Sequence, residues 1–120
     1  MNMSEYIFEK VDCDNDPEWV VKEFFNSLNL SGNLHFGVER IVDKCGFGIE
    51  DTYCHFPDLE GSDPDFYFQG IMFGVWGGEI VVDELTGYKY TLMASEKYCL
   101  IHPEEKHKFE RLMNKLTYCS

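Results

Sequence analysis

The chain has 120 residues, of which 44% are hydrophobic and 16% aromatic, a composition that excludes intrinsic disorder and predicts a single domain with a buried core. It carries 22 acidic against 10 basic residues, and its net charge of −12 disfavours direct binding to nucleic acid and favours a basic protein partner. No apolar segment approaches the length of about 20 residues that a membrane span requires, and no secretory signal is visible, so we expect a cytoplasmic protein without membrane contact.

The negative charge is concentrated in the N-terminal two thirds of the chain. Residues 1–87 contain 18 Asp and Glu against 4 Lys and Arg, whereas residues 88–120 contain 4 against 6. The five cysteines are odd in number, widely spaced and never arranged as CxxC, unlike those of a secreted disulfide scaffold. We therefore expect Cys45 and Cys99 to be free thiols that pack as small hydrophobic side chains.

The N-terminal third predicts two helices after an opening segment that could be either a strand or a frayed arm. Residues 16–18, DPE, are a typical helix start, with an N-cap oxygen, a proline in the first turn and a carboxylate near the positive end of the helix dipole. Residues 27–33 should end this first helix. The apolar spacing over residues 33–45 predicts a second helix, with Gly46 as the glycine that terminates it.

The middle of the chain predicts two strands, a tight turn and a return strand. Residues 48–56 are best interpreted as one strand with Tyr53 facing inward, and residues 57–64 as a solvated, mobile acidic loop. Residues 66–75 are rich in aromatic and β-branched side chains, which favour a half-buried strand. The turn Trp76-Gly77-Gly78 then leads into a strand over residues 79–82.

The C-terminal part predicts two further helices. Asp83 is a good N-cap for a helix over residues 84–101, and Pro103 both stops that helix and begins the last one. The expected inner face of the longer helix is formed by Leu85, Tyr88, Leu92, Ser95 and Cys99. The predicted fold class is α+β, with a small, mainly antiparallel sheet of three to four strands and about four packed helices.

The sequence contains no common catalytic motif such as GxSxG, HExxH or GxxxxGK[ST]. A zinc site built from Cys99, His102 and His107 would lack the fourth ligand that a structural zinc needs. We therefore expect no catalytic residue, no cofactor and no bound metal. Two alternatives remain open: a small cytosolic enzyme or metal-binding protein that uses its Cys and His residues, and an acidic regulatory adaptor.

Two segments, FYFQGIMFGVWGGEIVVDE and EKYCLIHPEEKHKFERLMNKL, resemble the small immunity proteins (CdiI type) of bacterial contact-dependent growth inhibition, or CDI. The likeness covers roughly residues 20–117, and its matching positions are Phe68, Gly70, Ile80, Val81, Asp83, Tyr98, His102 and Pro103. The resemblance implies a cytoplasmic antitoxin that binds the C-terminal toxin domain of a CdiA-type effector. The partners of this group are thought to be ribonucleases, some of EndoU type.

A ribonuclease must have a basic cleft for RNA, so we expect the acidic surface of this chain to occlude that cleft. Complementary charge chiefly sets the association rate and the specificity, whereas desolvated aromatic side chains supply much of the affinity. The acidic loop at residues 57–64 is the expected centre of the contact. Charged contacts are expected from Asp51, Asp58, Glu60, Asp63 and Asp65, and aromatic anchors from Tyr53, Tyr67 or Trp76.

Overall fold

The computed structural model describes residues 6–119, with side chains described as far as residue 117. Within this range the chain forms four α-helices and a four-stranded antiparallel sheet, which confirms the predicted α+β class. The elements are α1 (Trp19–Leu30), α2 (Leu34–Val42), β1 (Phe47–Ile49), β2 (Thr52–His55), β3 (Ile71–Val75), β4 (Gly78–Val82), α3 (Glu84–Ile101) and α4 (Lys106–Cys119), with short 3₁₀ turns at Pro64–Phe66 and Pro103–Glu105. None of the helices in the described range is both long and apolar enough to cross a membrane.

The strands form a meander in the order β1-β2-β3-β4, and their register separates the side chains into two faces. The inner face, toward the helices, includes a row that crosses all four strands: Phe47, Cys54, Phe73 and Ile80. Because side chains alternate along a strand, the neighbouring row lies on the outer face. That row consists of Gly48, Tyr53, Gly74 and Glu79.

Helix α1 lies against the inner face and contacts β2, β3 and β4. Phe24 and Phe25 of this helix are fully buried, and the ring of Phe24 meets that of Phe73 nearly edge-on at 4.9 Å. Burial of one such ring stabilises the folded state by about 1.5–3 kcal/mol, so this aromatic cluster is a principal source of stability. Helix α4 packs against α2 and α3.

The described part of the N-terminal segment, residues 6–16, is an irregular arm attached to the core. Ile7 is only 5% exposed and belongs to the core, and Phe8 packs against the rings of Phe25 and Tyr90. The main chain of Phe8 forms two hydrogen bonds with the side chain of Asn26, at 2.8 and 2.9 Å. The side-chain amide of Asn26 thus pairs with the main chain of the arm in the way that a neighbouring strand would.

The prediction of one strand over residues 48–56 is wrong, because the chain turns back at residues 50–51 to form the β1–β2 hairpin. Glu50 adopts a left-handed φ of 55°, which makes the turn without a glycine. Tyr53, expected to face inward, lies on the outer face, since its neighbour Cys54 pairs between Phe47 and Phe73 on the inner one.

The predicted strand over residues 66–75 is also too long, because β3 begins only at Ile71. Residues 64–66 form a 3₁₀ turn, and Gly70 then takes a φ of 105° immediately before the strand. An added Cβ at Gly70 would collide with the carbonyl oxygen of Val82. This close approach explains the glycine.

Several helix boundaries differ from the predicted ones. Helix α1 begins at Trp19 and continues through residues 27–30, and Asp16 instead stabilises the preceding turn by accepting a 2.9 Å hydrogen bond from the amide of Glu18. Helix α2 is terminated by Lys44, whose φ is 56°, and not by Gly46. In α3, Leu85 is 60% exposed, contrary to the expected inner face.

The two thiols expected to be buried differ in their surroundings. Cys99 is 8% exposed and belongs to the core, as predicted. Cys45 is only partly buried, because it lies in the turn after α2, where its amide donates to the carbonyl of Arg40 at 2.8 Å. The fully buried thiol of the sheet is that of Cys54.

Candidate functional site

The outer face of the sheet carries aromatic, apolar and acidic side chains that keep part of their surface in solvent. In the described range α1 lies against the inner face, where Ile71, Phe73 and Cys54 are fully buried. On the outer face Val81 is 41% exposed, and Glu79 is exposed as well. A sheet face with this mixture of side chains is suited to contact another molecule.

A cleft of about 410 Å³ lies on this outer face. This cleft, which we call the outer-face cleft, is lined by Tyr53, His55, Asp65, Phe66, Met72 and Glu79. The centre of the His55 ring is 5.2 Å from the centre of the Tyr53 ring and 5.2 Å from that of Phe66. The three rings therefore form a continuous aromatic row, with a carboxylate at Asp65 and another at Glu79.

Tyr53 is held in place from two directions. Its ring covers Gly74 on the neighbouring strand, where an added Cβ would overlap the ring. Its hydroxyl donates a hydrogen bond to the carboxylate of Glu79. Burial and then this hydrogen bond raise the pKa of Tyr53 to about 12, so the phenol stays protonated and remains a donor at neutral pH. A ring fixed in this way loses little conformational entropy when a partner binds.

The acidic loop at residues 57–64, predicted to be mobile, is closed on itself by hydrogen bonds. The amide of Asp58 donates to the carbonyl of Phe66 at 2.9 Å, and the hydroxyl of Tyr67 donates to the carbonyl of Gly61. The carboxylate of Asp63 accepts from the amide of Asp65 at 3.0 Å and so caps the 3₁₀ turn. The loop therefore holds Asp65 and Phe66 beside the outer face.

Asp51 and Trp76 line a second depression, of about 620 Å³, which we call the Trp76 groove. It lies between the β1–β2 turn and the end of α1, and Leu30 and Glu50 also line it. Trp76 is 83% exposed at the tip of the β3–β4 hairpin. An indole with so much exposed surface is available to a partner.

The structure thus divides the eight predicted contact residues among three neighbouring places. Tyr53 and Asp65 line the outer-face cleft, and Asp51 and Trp76 line the Trp76 groove. The remaining four lie in the loop or just after it: Asp58, Glu60, Asp63 and Tyr67. Four further members of the outer-face cleft could not be recognised as site residues from the predicted elements: His55, Phe66, Met72 and Glu79. Alternation with buried strand residues could have indicated His55, Met72 and Glu79, whereas Phe66 lies in the 3₁₀ turn.

The charge distribution follows the architecture. Residues 45–88, which include the whole sheet and its loops, contain nine Asp and Glu and no Lys or Arg. The basic residues that flank this stretch are Lys44, in the turn after α2, and Lys89, in helix α3. The sheet is therefore the acidic side of the molecule, and the helical side formed by α3 and α4 is mildly basic. Such a field attracts a cationic partner toward the sheet.

Within residues 6–119 one group of side chains could hold a metal ion: His102, Glu104 and Glu105, with ligand atoms within 4.8 Å of one another. It differs from the Cys99, His102 and His107 set considered from the sequence. Glu105 already accepts a 2.8 Å hydrogen bond from the hydroxyl of Tyr98, which lowers the pKa of that carboxyl. Both glutamates precede α4, where they complement the positive end of its dipole.

A nucleophilic role for the cysteine of the sheet conflicts with its surroundings. Cys54 is fully buried on the inner face, and this burial raises the pKa of its thiol to about 12. Because the thiolate is the reactive form, a thiol that is both inaccessible and protonated at neutral pH is inert. Cys54 is therefore a packing residue.

Comparison with protein families gives a match over residues 17–113 to the family described as CDI immunity protein. A search of curated proteins gives no match. The matched segment covers most of the chain and includes the sheet, the outer-face cleft and the Trp76 groove. The arm that contributes Ile7 to the core lies outside it.

Proposed function

Since the chain belongs to the CDI immunity protein family and is therefore an antitoxin, we propose that it neutralises a basic ribonuclease toxin by covering its RNA-binding cleft. The family supplies the antitoxin role and a cognate CdiA toxin domain as the partner. The ribonuclease class of the toxin is what the resemblance to this family implies, and occlusion of a basic cleft is inferred from the negative charge of this chain. Inhibition by occlusion needs no catalytic residue, and it would take place in the cytoplasm, where the RNA substrates are.

The observation that carries the proposal is the stretch of 44 residues, 45–88, with nine carboxylates and no Lys or Arg. A cleft that binds the phosphates of RNA must present cationic side chains, and the acidic sheet complements them. Long-range attraction between the two surfaces raises the association rate, and once bound the carboxylates occupy the cations that RNA would use. The immunity protein and RNA then exclude one another.

The exposed aromatic residues of the same side are proposed to supply affinity. Trp76 is 83% exposed and Tyr67 is 49% exposed, so both have surface to lose to a partner, whereas Tyr53 contributes the fixed ring of the outer-face cleft. Desolvated aromatic side chains near the centre of an interface commonly dominate its binding energy. The proposed charged contacts around them are Asp51, Asp58, Glu60, Asp63 and Asp65.

The test uses the cognate C-terminal toxin domain of a CdiA-type effector, which we expect to be encoded next to the gene for this chain. We expect this domain to cleave RNA and to be inhibited by one equivalent of the immunity protein. Its association rate constant should fall steeply between about 50 and 500 mM salt, because screening weakens attraction between exposed charges.

A second measurement tests occlusion itself. An inactive variant of the toxin should bind a labelled RNA that the immunity protein displaces completely. A ternary complex of toxin, RNA and immunity protein would refute occlusion, and a toxin domain without ribonuclease activity would refute the proposed class of toxin.

A further inference from the structure

From the geometry of the outer-face cleft we infer that it receives an arginine side chain of the toxin, an assignment that rests on the proposed function above. The cleft combines two features that a guanidinium recognises. Its rings, from Tyr53, His55 and Phe66, offer stacking surface, and its carboxylates, from Asp65 and Glu79, offer charged acceptors.

The preference for arginine over lysine follows from the shape of the two cations. A guanidinium is planar, stacks on aromatic rings and forms paired hydrogen bonds with a carboxylate, whereas an ammonium group is compact and strongly hydrated. The volume of about 410 Å³ leaves room for one long side chain and for part of the partner surface around it. A toxin that binds RNA has arginines of this kind to offer.

The cleft is formed before any partner arrives. The Tyr53 ring is fixed over Gly74, and its hydroxyl is bonded to Glu79, so one wall is already in place. Phe66, which also lines the cleft, is held by the closed loop, in which the amide of Asp58 donates to the carbonyl of Phe66 at 2.9 Å. A site that needs no rearrangement binds its ligand at a smaller entropic cost.

The Trp76 groove is the competing location for the main charged contact. It also carries two carboxylates, Glu50 and Asp51, but both lie in a hairpin turn, and Trp76 is 83% exposed at its edge. The outer-face cleft instead lines one space with two carboxylates and a row of rings whose neighbouring centres are 5.2 Å apart. We therefore assign the arginine to the cleft and a peripheral contact to the groove.

The experiment compares two double variants with the same change in net charge. Asp65→Asn with Glu79→Gln removes both carboxylates of the cleft while preserving the shape of each side chain. Glu96→Gln with Glu110→Gln removes two exposed carboxylates from α3 and α4. Binding of the toxin domain is followed by surface plasmon resonance, and thermal unfolding confirms that both variants are folded.

We expect the cleft variant to dissociate roughly 10- to 100-fold faster than the unsubstituted protein, because a buried guanidinium loses its charged acceptors. The control variant should change the dissociation rate by less than about twofold, because its two carboxylates lie in α3 and α4, outside the proposed contact surface. With both complexes saturated, phenylglyoxal, which modifies arginine, should spare one toxin arginine in the complex with the unsubstituted protein and modify it in the complex with the cleft variant.

Equal dissociation rates for the two variants, or the absence of any protected arginine, would overturn the assignment. Faster dissociation caused instead by Glu50→Gln with Asp51→Asn would move the arginine to the Trp76 groove. In each of these cases inhibition of RNA cleavage by the unsubstituted protein would persist, so the proposed function would stand. A toxin that cleaves no RNA would refute the proposed function separately.

Discussion

Replacement of Asn26 by aspartate tests whether a single amide holds the N-terminal arm to the core. Asn26 is 2% exposed; its Oδ1 accepts from the amide of Phe8 at 2.8 Å, and its Nδ2 donates to the carbonyl of Phe8 at 2.9 Å. The same Nδ2 lies 3.4 Å from a carboxylate oxygen of Glu23. Asn26→Asp keeps the shape of the side chain but replaces the donor Nδ2 by an acceptor oxygen. That oxygen then faces two other acceptors, the carbonyl of Phe8 and the carboxylate of Glu23.

We expect the variant to lose about 3 kcal/mol of stability at pH 7, because a buried group left without its hydrogen bond costs about 1–3 kcal/mol and a charged group costs more. Burial and the neighbouring Glu23 should raise the pKa of the new carboxyl above its ordinary value of about 3.9. The folded state then binds a proton that the unfolded state has already lost. The penalty is therefore small below pH 4 and grows as the pH rises through the folded-state pKa.

The assay is urea unfolding of the variant and the unsubstituted protein at pH 7 and at pH 4. Asn114→Asp, an exposed position on α4, makes the same chemical change without burial and should alter stability by less than about 0.5 kcal/mol. A loss at Asn26 that is the same at both pH values would refute the titration argument. No loss at pH 7 would show that the arm is not held by this amide.

Three further predictions concern the backbone, a helix cap and the thiols. Gly70→Ala should cost about 3 kcal/mol in urea unfolding, because the added Cβ collides with a β4 carbonyl at a φ of 105°, whereas Gly77→Ala, with a φ of 89° and open space, should cost about 1 kcal/mol. Asp83→Ala should lower the thermal midpoint at pH 7 and Asp83→Asn should largely preserve it, since the side-chain oxygen accepts a 2.7 Å hydrogen bond from the first turn of α3. That bond lowers the pKa of Asp83, so the part of the alanine variant's effect that comes from the carboxylate charge should disappear as the pH falls through this lowered pKa. The part that comes from a neutral acceptor oxygen, which asparagine also supplies, should remain. Iodoacetamide at pH 8 should modify the exposed Cys13 and leave Cys54 intact, as read by mass spectrometry, because burial raises the Cys54 pKa to about 12.

The helices and the second hairpin could be predicted because their signals are local. Asp83 caps α3 through a hydrogen bond to its first turn, and the step from His102 to Pro103 ends that helix, as expected from the residue types alone. The β1–β2 hairpin could not be predicted in this way. Its turn uses a left-handed Glu50 instead of a glycine, so the residues read as one continuous strand.

The candidate site was harder to predict because it depends on pairing between distant residues. Whether Tyr53 faces inward or outward is decided by its register opposite Gly74 of β3, which lies 21 positions further along the chain. Glu79 reaches the same cleft only through the pairing of β4 with β3. The acidic composition suggests the proposed kind of partner, whereas the proposed contact surface depends on the strand register.

If the outer face binds the toxin as proposed, the two faces of the sheet separate stability from recognition. Inner residues such as Phe73 are fully buried against α1, so a change there leaves a cavity or a clash. Outer residues such as Met72 and Val81 keep part of their surface in solvent, and changes there cost little in folding. An immunity protein must match one toxin and can therefore vary this face while the core is preserved. Gly74 is the exception: it faces outward, yet any side chain there would displace Tyr53, so the ring of the cleft and the strand beneath it must change together.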